Sequence, residues 1–362
     1  MITEVEGNMN QKSLVSVLMP VFRADKNQLK IAVDSILMQT YRCLELLVLF
    51  EGTEEDPCYI MLQGIQDKRL KVVLIPLKSG LPKSLNIGIE RAEGKYIARM
   101  DADDYSLPDR FVKQINFLES HPDIDAVGGI CRYMNSRTLS FSTMIPPERR
   151  SARMLFSHAG VAHPTAVIKR AFIEKNKIRY NETIKGSEDY HLWIDFVLAG
   201  GRIDSVNQIV LLYRISEGQA HNLLKNEMIE WDNLGREKIL NKIGQFREDE
   251  KEMIYQFCRF HNREISVLST LNVLEKLSRL GSHNSLFMDK VFQKEVCYEW
   301  IQKSLLSYKN GNGKEMLRSD FVKKLWVRGE LTYLLSEYFR KITGKIIPLL
   351  KVNWRTSMKS QA

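Results

Sequence analysis

Short apolar runs and segments of helical periodicity follow one another through the first hundred residues of the chain. The first run, LVSVLMPV at 14–21, is rich in β-branched residues and leads into a loop, which is typical of a buried parallel strand. Over 27–39 the apolar residues instead recur at helical spacing, which predicts an amphipathic helix. The same pair repeats, with strands predicted at 44–50, 70–76 and 96–100 and helices at 57–67 and 82–92.

This alternation predicts an α/β fold with a mostly parallel sheet flanked by helices, like the nucleotide-binding half of a Rossmann-type domain. In such sheets, ligands bind beyond the carboxyl ends of the strands. The loops after Met19, Phe50 and Met100 are therefore expected to form one cleft.

Strand signals continue to residue 215, and only helical periodicity follows. AVGGICRYM (126–134) and QIVLLYRI (208–215) predict strands, and HLWIDFVLAGG (191–201) predicts a helix that stops at its glycines. A chain of 362 residues also exceeds what one core usually serves. We therefore expect a catalytic domain over 13–222 and an α-helical accessory region over 223–362.

The formal net charge of +9 is concentrated near the carboxyl terminus. From Lys314 to Ala362, eleven Lys or Arg residues stand against four Asp or Glu, which leaves +7. The segment between Trp326 and Trp354 predicts either an amphipathic helix on an anionic membrane surface or a helix packed on the protein with its charges in solvent. No nucleic-acid-binding motif accompanies the charge, so no nucleic-acid partner is expected.

The cysteines and the amino terminus bear on the compartment. The five cysteines are odd in number, widely spaced and never in a C-x-x-C pair, which indicates a reducing compartment without a structural zinc site. The start, MITEVEGNMNQKS, lacks signal-peptide features, and no apolar run approaches the roughly 18 to 20 residues that span a bilayer. We expect a cytoplasmic protein, peripheral on the cytoplasmic face of the inner membrane if the tail binds lipid.

Three carboxylates in four positions follow the predicted strand 96–100. Asp101, Asp103 and Asp104 repel one another unless a divalent cation lies among them, and their oxygens suit Mg²⁺ or Mn²⁺. A diphosphate would be a natural further ligand. The same residues also suit an acidic surface turn, with Asp104 capping the helix that begins near Leu107. The residues alone leave both interpretations open.

A second acidic pair, Glu188-Asp189, precedes the helix predicted over 191–201. Acidic side chains at a helix amino terminus favour the helix dipole, so capping is one interpretation. A carboxylate there would also suit a general base that takes a proton from an incoming hydroxyl.

Seven sequence blocks, in this order and spacing, resemble the inverting bacterial glycosyltransferases of family 2 with a GT-A fold. They are VSVLMPVF, SILMQTY, LELLVLFEG, GLPKSLNIGIERAEGKYIARMDADD, LPDRF, HPT and EDYHLW, within about residues 13–220. The chain looks most like enzymes that build capsular polysaccharide, lipopolysaccharide or exopolysaccharide. The resemblance implies transfer of a sugar from a nucleoside-diphosphate sugar to a hydroxyl of a glycan or lipid-linked acceptor.

The resemblance implies roles for individual residues at the donor. The nucleotide-sugar positions are Pro20, Val21, Phe22, Glu51, Lys83, Asn86, Asp101 and Ala102. Glu51 matches the acidic position that contacts uracil, although most members carry two Asp before the glycine where this chain has Phe50-Glu51. A UDP-linked sugar is therefore the expected donor. Asn86 would equally suit a helix face.

The acidic residues match the metal site and the base of that family. Asp103 and Asp101 correspond to its D-x-D motif, which holds Mn²⁺ or Mg²⁺, and Asp189 corresponds to its catalytic base. His221 lies where many GT-A enzymes place a third metal ligand or a donor-closing loop.

Three further residues are implied at the acceptor. Glu188 matches the acidic neighbour that shapes the acceptor pocket, and His163 belongs to the HPT block. A packed strand region would suit His163 as well. Trp193 would serve either as a platform for a sugar ring or as a core residue.

The expected chemistry is a single displacement at the anomeric carbon, so that an α-linked donor gives a β-linked product. A nucleotidyltransferase fits less well, because LMPVFRADK lacks the glycines of a phosphate loop. A catalytically inactive GT-A-fold binding or assembly protein at the membrane is the remaining alternative.

Overall fold

The computed structural model describes residues 13–134, 145–215, 225–259 and 270–308, without 283, 285–286 and 288–290. His221 and the basic tail from 314 onward therefore lie outside the described residues.

Eight strands form one sheet. They are β1 (Val15–Phe22), β2 (Leu44–Glu51), β3 (Leu70–Ile75), β4 (Tyr96–Arg99), β5 (Tyr105–Ser106), β6 (Ala126–Met134), β7 (Val167–Lys169) and β8 (Ile203–Arg214). Their order is β3-β2-β1-β4-β7-β6-β8-β5. Strands β1 to β4 pair in parallel, whereas β7 is antiparallel to both β4 and β6. The sheet is thus a parallel nucleotide-binding half continued by a mixed half.

Eleven helices are described. They are α1 (Lys26–Leu37), α2 (Pro57–Gln63), α3 (Gly80–Arg91), α4 (Arg110–Ser120), α5 (Pro147–Arg153), α6 (Arg170–Lys175), α7 (Glu188–Leu198), α8 (Lys225–Ile243), α9 (Glu248–Arg259), α10 (Leu271–Ser282) and α11 (Val291–Tyr308). Local signals fix several ends. The Asp25 carboxylate caps α1 by accepting from the amides of Asn27 and Gln28. Beyond α7 the chain turns at Gly200, whose φ of 86° suits glycine.

The early strands match their predicted positions within two residues, because their central side chains are buried on both faces. Strand β8 is longer than predicted and begins at Ile203 rather than 208. Its first half is polar and partly exposed, so it lacks the apolar run that marks a buried strand.

The described residues form two compact units. The first contains the residues up to Met154 and those from His158 to Ile239, and the second contains Leu155–Ser157 and the residues from Leu240 on. The division thus falls within α8, whereas the predicted boundary lies before it, at residue 222. Helix α8 packs on α7 along its first half, where a Cβ on Gly235 would approach Ile194 Cδ1 to 2.8 Å.

The first unit is organised around the sheet. Its core includes Val17 and Met19 of β1 and Val48 of β2, all fully buried. The second unit has a helical core in which Phe156 contacts the rings of Phe257 and Phe292. Over the described part of the chain, no helix is both long and apolar enough to cross a bilayer.

Candidate functional site

The carboxyl ends of the parallel strands meet at one edge of the sheet, as predicted. Phe22 at the end of β1 is in register with Glu51 at the end of β2, and Glu51 with Ile75 at the end of β3. The amide of Met100, just beyond β4, donates to the carbonyl of Leu18 at 3.0 Å. The loops after these strands therefore open on the same side.

The acidic residues after β4 form a cluster of three carboxylates. One oxygen from each of Asp101, Asp103 and Asp104 lies within 4.8 Å of the others. Asp101 pairs with the guanidinium of Arg99, the last residue of β4. Burial and the charge of Asp101 raise the pKa of Asp103. Like charges are thus held together at a partly buried position, as a cation site requires.

Asp104 is the most buried member of the cluster, with 1% of its surface exposed. Its Oδ1 accepts from the Arg214 amide at 2.8 Å, while its Oδ2 is buried and has no hydrogen-bond partner among the described residues. Burial and Asp101 raise its pKa to about 8. The interpretation of Asp104 as a helix cap is therefore wrong. Helix α4 begins at Arg110, and Asp104 instead anchors the end of β8.

These residues fit a divalent cation. Three carboxylates with oxygens within 4.8 Å of one another have the hard-ligand chemistry of Mg²⁺ and Mn²⁺ sites. The Nε of Arg214 donates to the carbonyl of Asp103 at 2.9 Å, so the loop that carries the carboxylates is also fixed from β8.

The second acidic pair lies at the amino terminus of α7. Ser187 is the N-cap residue and Glu188 and Asp189 occupy the first turn. Burial and the neighbouring Asp189 raise the pKa of Glu188. Asp189 Oδ1 accepts from the Tyr190 amide at 2.8 Å, so that oxygen does cap the helix, as one interpretation held. A cap does not preclude a role as base, because a carboxylate has a second oxygen.

Arg99 connects the two acidic sites electrostatically. Burial opposes the charge on its guanidinium, yet Asp101 outweighs burial and the pKa of Arg99 is raised. The same positive charge acts on Glu188 and on the hydroxyl of Tyr180. Arg99 therefore acts electrostatically on residues of both acidic sites.

The predicted nucleotide residues lie along the ends of the first three strands. Phe22 is 55% exposed, whereas its neighbour Val21 is buried in the core. Glu51 is almost buried, and its Oε2 accepts from the Gly80 amide at 2.9 Å, which ties β2 to the start of α3. Lys83 is exposed on the first turn of that helix.

Pro20 is half-buried in β1, and Ala102 is half-buried beside Asp101. Both lie at the carboxyl edge of the sheet where the predicted nucleotide pocket would be. The predicted ligand His221 is outside the described residues.

Asn86 joins α3 to the backbone at Tyr180, and its place near the nucleotide and its phosphates stays a prediction. Its Nδ2 donates to the Tyr180 carbonyl at 2.9 Å and to Glu182 at 3.2 Å, and its Oδ1 accepts from the Tyr180 amide at 2.9 Å. Both amide protons are therefore used within the protein.

Two predicted acceptor residues are buried. Trp193 is 2% exposed and its ring packs beside Gly160, which favours the core interpretation, while its role at the acceptor stays a prediction. His163 shares a hydrogen bond of 2.7 Å with the Tyr180 hydroxyl, and burial together with Arg99 lowers its pKa well below the ordinary range. This position agrees with the alternative interpretation, in which His163 belongs to a packed strand region.

Sequence reasoning missed several residues at the cleft. Arg99 has a visible signal, because it is the single charge in an apolar strand, YIARM. Arg214, Tyr180, His158 and Asp232 have none, since each is brought to the cleft by a distant part of the chain.

Comparison with known proteins supplies the context for this geometry. Residues 16–176 match the family described as Glycosyl transferase family 2. An uncharacterized glycosyltransferase of Haemophilus influenzae is 30% identical over 254 residues, which cover 65% of this chain and 77% of that protein. The O-antigen biosynthesis glycosyltransferase WbnJ of Escherichia coli is 30% identical over 210 residues, 56% of this chain and 80% of its own.

A third relative and a solved structure extend the comparison. The E. coli UDP-Glc:alpha-D-GlcNAc-diphosphoundecaprenol beta-1,3-glucosyltransferase WfgD is 25% identical over 225 residues, 61% of this chain and 85% of its own. The structure of S. aureus TarS 1–349 in complex with UDP-GlcNAc is similar with a TM-score of 0.55 at 19% identity, over 82% of this chain and 92% of TarS 1–349. This likeness confirms the predicted GT-A-type α/β fold with helices after it.

Proposed function

This chain belongs to glycosyltransferase family 2, and from that premise we propose that it transfers a sugar, with inversion, from a UDP-sugar to a saccharide hydroxyl in surface polysaccharide biosynthesis. The observation that carries the proposal is the cluster of Asp101, Asp103 and Asp104 after β4, together with the Glu188-Asp189 pair in the first turn of α7. One suits a diphosphate and its cation, and the other suits the hydroxyl that attacks.

A UDP-linked donor is supported by the sheet edge and by similar proteins. The exposed ring of Phe22 and the carboxylate of Glu51 lie at adjacent strand ends, one suited to stacking on a base and the other to accepting its N–H. WfgD is named for UDP-glucose, and the TarS structure contains UDP-GlcNAc.

The acceptor is proposed from the names of relatives. WbnJ is an O-antigen enzyme, and WfgD acts on a saccharide joined to undecaprenol through a diphosphate. We therefore propose a growing saccharide on a lipid diphosphate as acceptor, with the protein working at the cytoplasmic face of a membrane.

The proposed reaction is a single displacement. The free oxygen of the Asp189 carboxylate takes the proton of the acceptor hydroxyl, and the acceptor oxygen forms its bond to the anomeric carbon. The bond from that carbon to the nucleoside diphosphate breaks on the opposite face, and its electron pair leaves with the diphosphate. Glu188 lies beside the base, and burial together with the neighbouring Asp189 raises the pKa of Glu188.

Asp101 and Asp103 would hold the cation, with Asp104 beside them and the Arg214 contacts fixing their loop. A bound Mn²⁺ or Mg²⁺ would offset the negative charge of the leaving diphosphate.

Donor binding is tested by thermal unfolding with UDP, GDP and several UDP-sugars, with and without MnCl₂. Ligand that binds only the folded state raises the midpoint. We expect a Mn²⁺-dependent rise in wild type and its loss in D103N. D109N is the matched control, because Asp109 is an exposed carboxylate at the N-cap position of α4 that pairs with Lys113. No nucleotide shift in wild type would favour the inactive binding protein instead.

Catalysis is tested by nucleotide release and by the anomeric configuration of the product. D189N should lower kcat by about a hundred-fold or more while the nucleotide shift remains. Wild-type turnover in D189N would show that Asp189 is not the base, and retention of the donor configuration would contradict inversion.

A further inference from the structure

Three side chains that the proposed reaction does not use meet at the amino terminus of α7. The Ser187 hydroxyl donates to Asp232 Oδ1 at 2.8 Å, and Asp232 belongs to α8. His158 Nε2 lies 3.1 Å from each oxygen of the same carboxylate. Ser187 is fully buried, and it immediately precedes the Glu188-Asp189 pair.

The imidazole of His158 is fixed by more than its hydrogen bonds. It stacks on the ring of Tyr190 at a centroid distance of 4.2 Å with planes 3° apart. The hydroxyl of Tyr190 donates to the Met154 carbonyl at 2.6 Å. Tyr190 directly follows Asp189, so His158 contacts residues on both sides of the Glu188-Asp189 pair: Tyr190 directly, and Ser187 through Asp232.

The contact between α8 and α7 is tight around this point. His191 Nε2 is hydrogen-bonded to the Trp231 carbonyl at 2.8 Å. A Cβ on Gly235 would lie 2.8 Å from Ile194 Cδ1 and 3.1 Å from the Tyr190 ring, so a larger residue there would require these side chains to shift. Asp232 therefore lies on a helix that packs closely on α7.

The charges at this position are complementary. Burial opposes the charge of Asp232, but His158, Arg236 and Ser187 outweigh it and lower its pKa. Burial likewise opposes the charge of His158, but Asp232 and Asp189 raise its pKa. The carboxylate is thus ionised and oriented by its neighbours.

We propose that Asp232 is a positioning residue for the catalytic base, holding the first turn of α7 through Ser187, with His158 as the side chain that orients Asp232. The inference rests on the proposed function in one respect, namely that Asp189 is the base. The hydrogen bond from the Ser187 hydroxyl to Asp232 fixes the point at which α7 begins. A shift of about 1 Å in a catalytic group can lower the rate a hundred-fold.

The same two helices provide a matched control. Asp195, further along α7, accepts from Lys238 of α8 at 2.7 and 2.9 Å. Like Asp232, this pair joins the two helices by a charged hydrogen bond. It lies at the other end of α7 from Asp189, so a loss due only to helix packing would be shared by D232A and D195N.

The first test is amide exchange, which needs no turnover. D232A and S187A should speed exchange of the amides of residues 188–191 by about ten-fold or more, and D195N should leave them unchanged. D232N keeps an oxygen that can accept from Ser187, so its exchange rates should lie between those of wild type and D232A. Equal exchange in D232A and wild type would overturn the inference.

The second test separates kcat from KM in the full-length enzyme. D232A should lower kcat by about ten- to a hundred-fold, with the donor KM and the UDP–Mn²⁺ thermal shift unchanged. D232N should recover part of that rate, and D195N should behave as wild type. A loss that D195N shares, or a parallel rise in donor KM, would overturn positioning.

The two failures remain distinguishable. Absence of transfer in wild type, or full activity of D189N, overturns the proposed function, while the exchange comparison still decides whether Asp232 holds α7. Normal kcat in D232A beside an inactive D189N overturns the inference alone.

Discussion

Single buried polar groups set the chemistry of this cleft. Asp104 carries its carboxylate into the protein with one oxygen bound to the Arg214 amide, and Asn86 fixes the backbone of Tyr180. Both side chains are buried, and their hydrogen-bond partners lie far from them along the chain. Their environments decide their roles, because burial without a full set of partners favours the neutral form of an acid.

Asp104 should make stability depend on pH. Its pKa is raised in the folded protein to about 8 from an ordinary 3.8, so the folded state binds its proton more tightly than the unfolded state. Stability should therefore fall as pH rises from about 4 to 8, by at most about 1.4 kcal/mol per pH unit. We expect D104N, unfolded by urea in EDTA, to show a flatter pH profile than wild type.

D109N is the control for this measurement and should keep the wild-type slope. Mn²⁺ should flatten the wild-type profile, because a cation stabilises the ionised carboxylates. An unchanged slope in D104N would contradict the assignment to Asp104.

Asn86 should affect stability and not nucleotide binding. N86A removes three hydrogen bonds and leaves the buried Tyr180 amide without its partner, which costs about 1–3 kcal/mol. Urea unfolding measures this loss, and N116A, an exposed asparagine on α4, is the control. Loss of the UDP–Mn²⁺ thermal shift in a folded N86A protein would instead support the predicted role of Asn86 at the nucleotide.

At the scale of elements, one buried carboxylate joins the amino-terminal ends of the strands. Glu45 of β2 accepts from the Ser16 hydroxyl at 2.5 Å, from the Glu93 amide at 2.9 Å and from Lys71 at 2.8 Å. These partners come from β1, the loop before β4, and β3. At the edge opposite the cleft, Glu45 thus links β2 to β1, to β3 and to the loop before β4.

E45Q should destabilise the protein more at neutral than at acidic pH. Burial opposes the charge of Glu45, but its hydrogen bonds outweigh burial and lower its pKa. Its stabilisation is therefore present above the ordinary pKa of 4.5 and is lost as pH falls through the lower folded-state value. We expect a loss of about 1.5–3 kcal/mol at pH 7 by urea unfolding.

The difference between E45Q and wild type should shrink below pH 4. E54Q, which changes an exposed glutamate in the loop after β2, should match wild type throughout. A loss of equal size at both pH values would mean that side-chain shape and not charge supports this edge.

At the scale of the whole molecule, two units with separate cores form one chain. The sheet unit contains both acidic sites, and the helical unit contains the Phe156, Phe257 and Phe292 cluster. Leu155–Ser157 belongs to the helical unit although its neighbours on both sides belong to the sheet unit. The chain therefore passes between the two units more than once.

The basic tail should bind anionic membranes. Residues 314–362 carry a net +7, and each basic residue near such a surface contributes about 1 kcal/mol. We expect the full chain to sediment with phosphatidylglycerol vesicles, less so at high salt, and a variant ending at residue 313 to stay in the supernatant. Equal sedimentation of both proteins would contradict a lipid role, and phosphatidylcholine vesicles are the control.

The sequence by itself determined the elements and the class of chemistry. Continuous apolar runs and helical periodicity located β1 to β4 and the helices between them, because burial on one face or both leaves a local pattern in the residues. The D-x-D cluster and Glu188-Asp189 were also visible, since each is contiguous along the chain. The resemblance to family 2 then implied a role at the donor for the D-x-D cluster and a role as catalytic base for Asp189.

Only the tertiary structure decided which residues share the cleft. His158, Asp232 and Ser187 come from three separate segments, as do Arg99, His163 and Tyr180, and no local pattern marks such a meeting. Trp193 and Asn86 match ligand positions in the sequence. In the fold, Trp193 is buried, and Asn86 is hydrogen-bonded to the backbone of Tyr180. Periodicity records how an element meets solvent, whereas the partners of a polar group depend on contacts between distant parts of the chain.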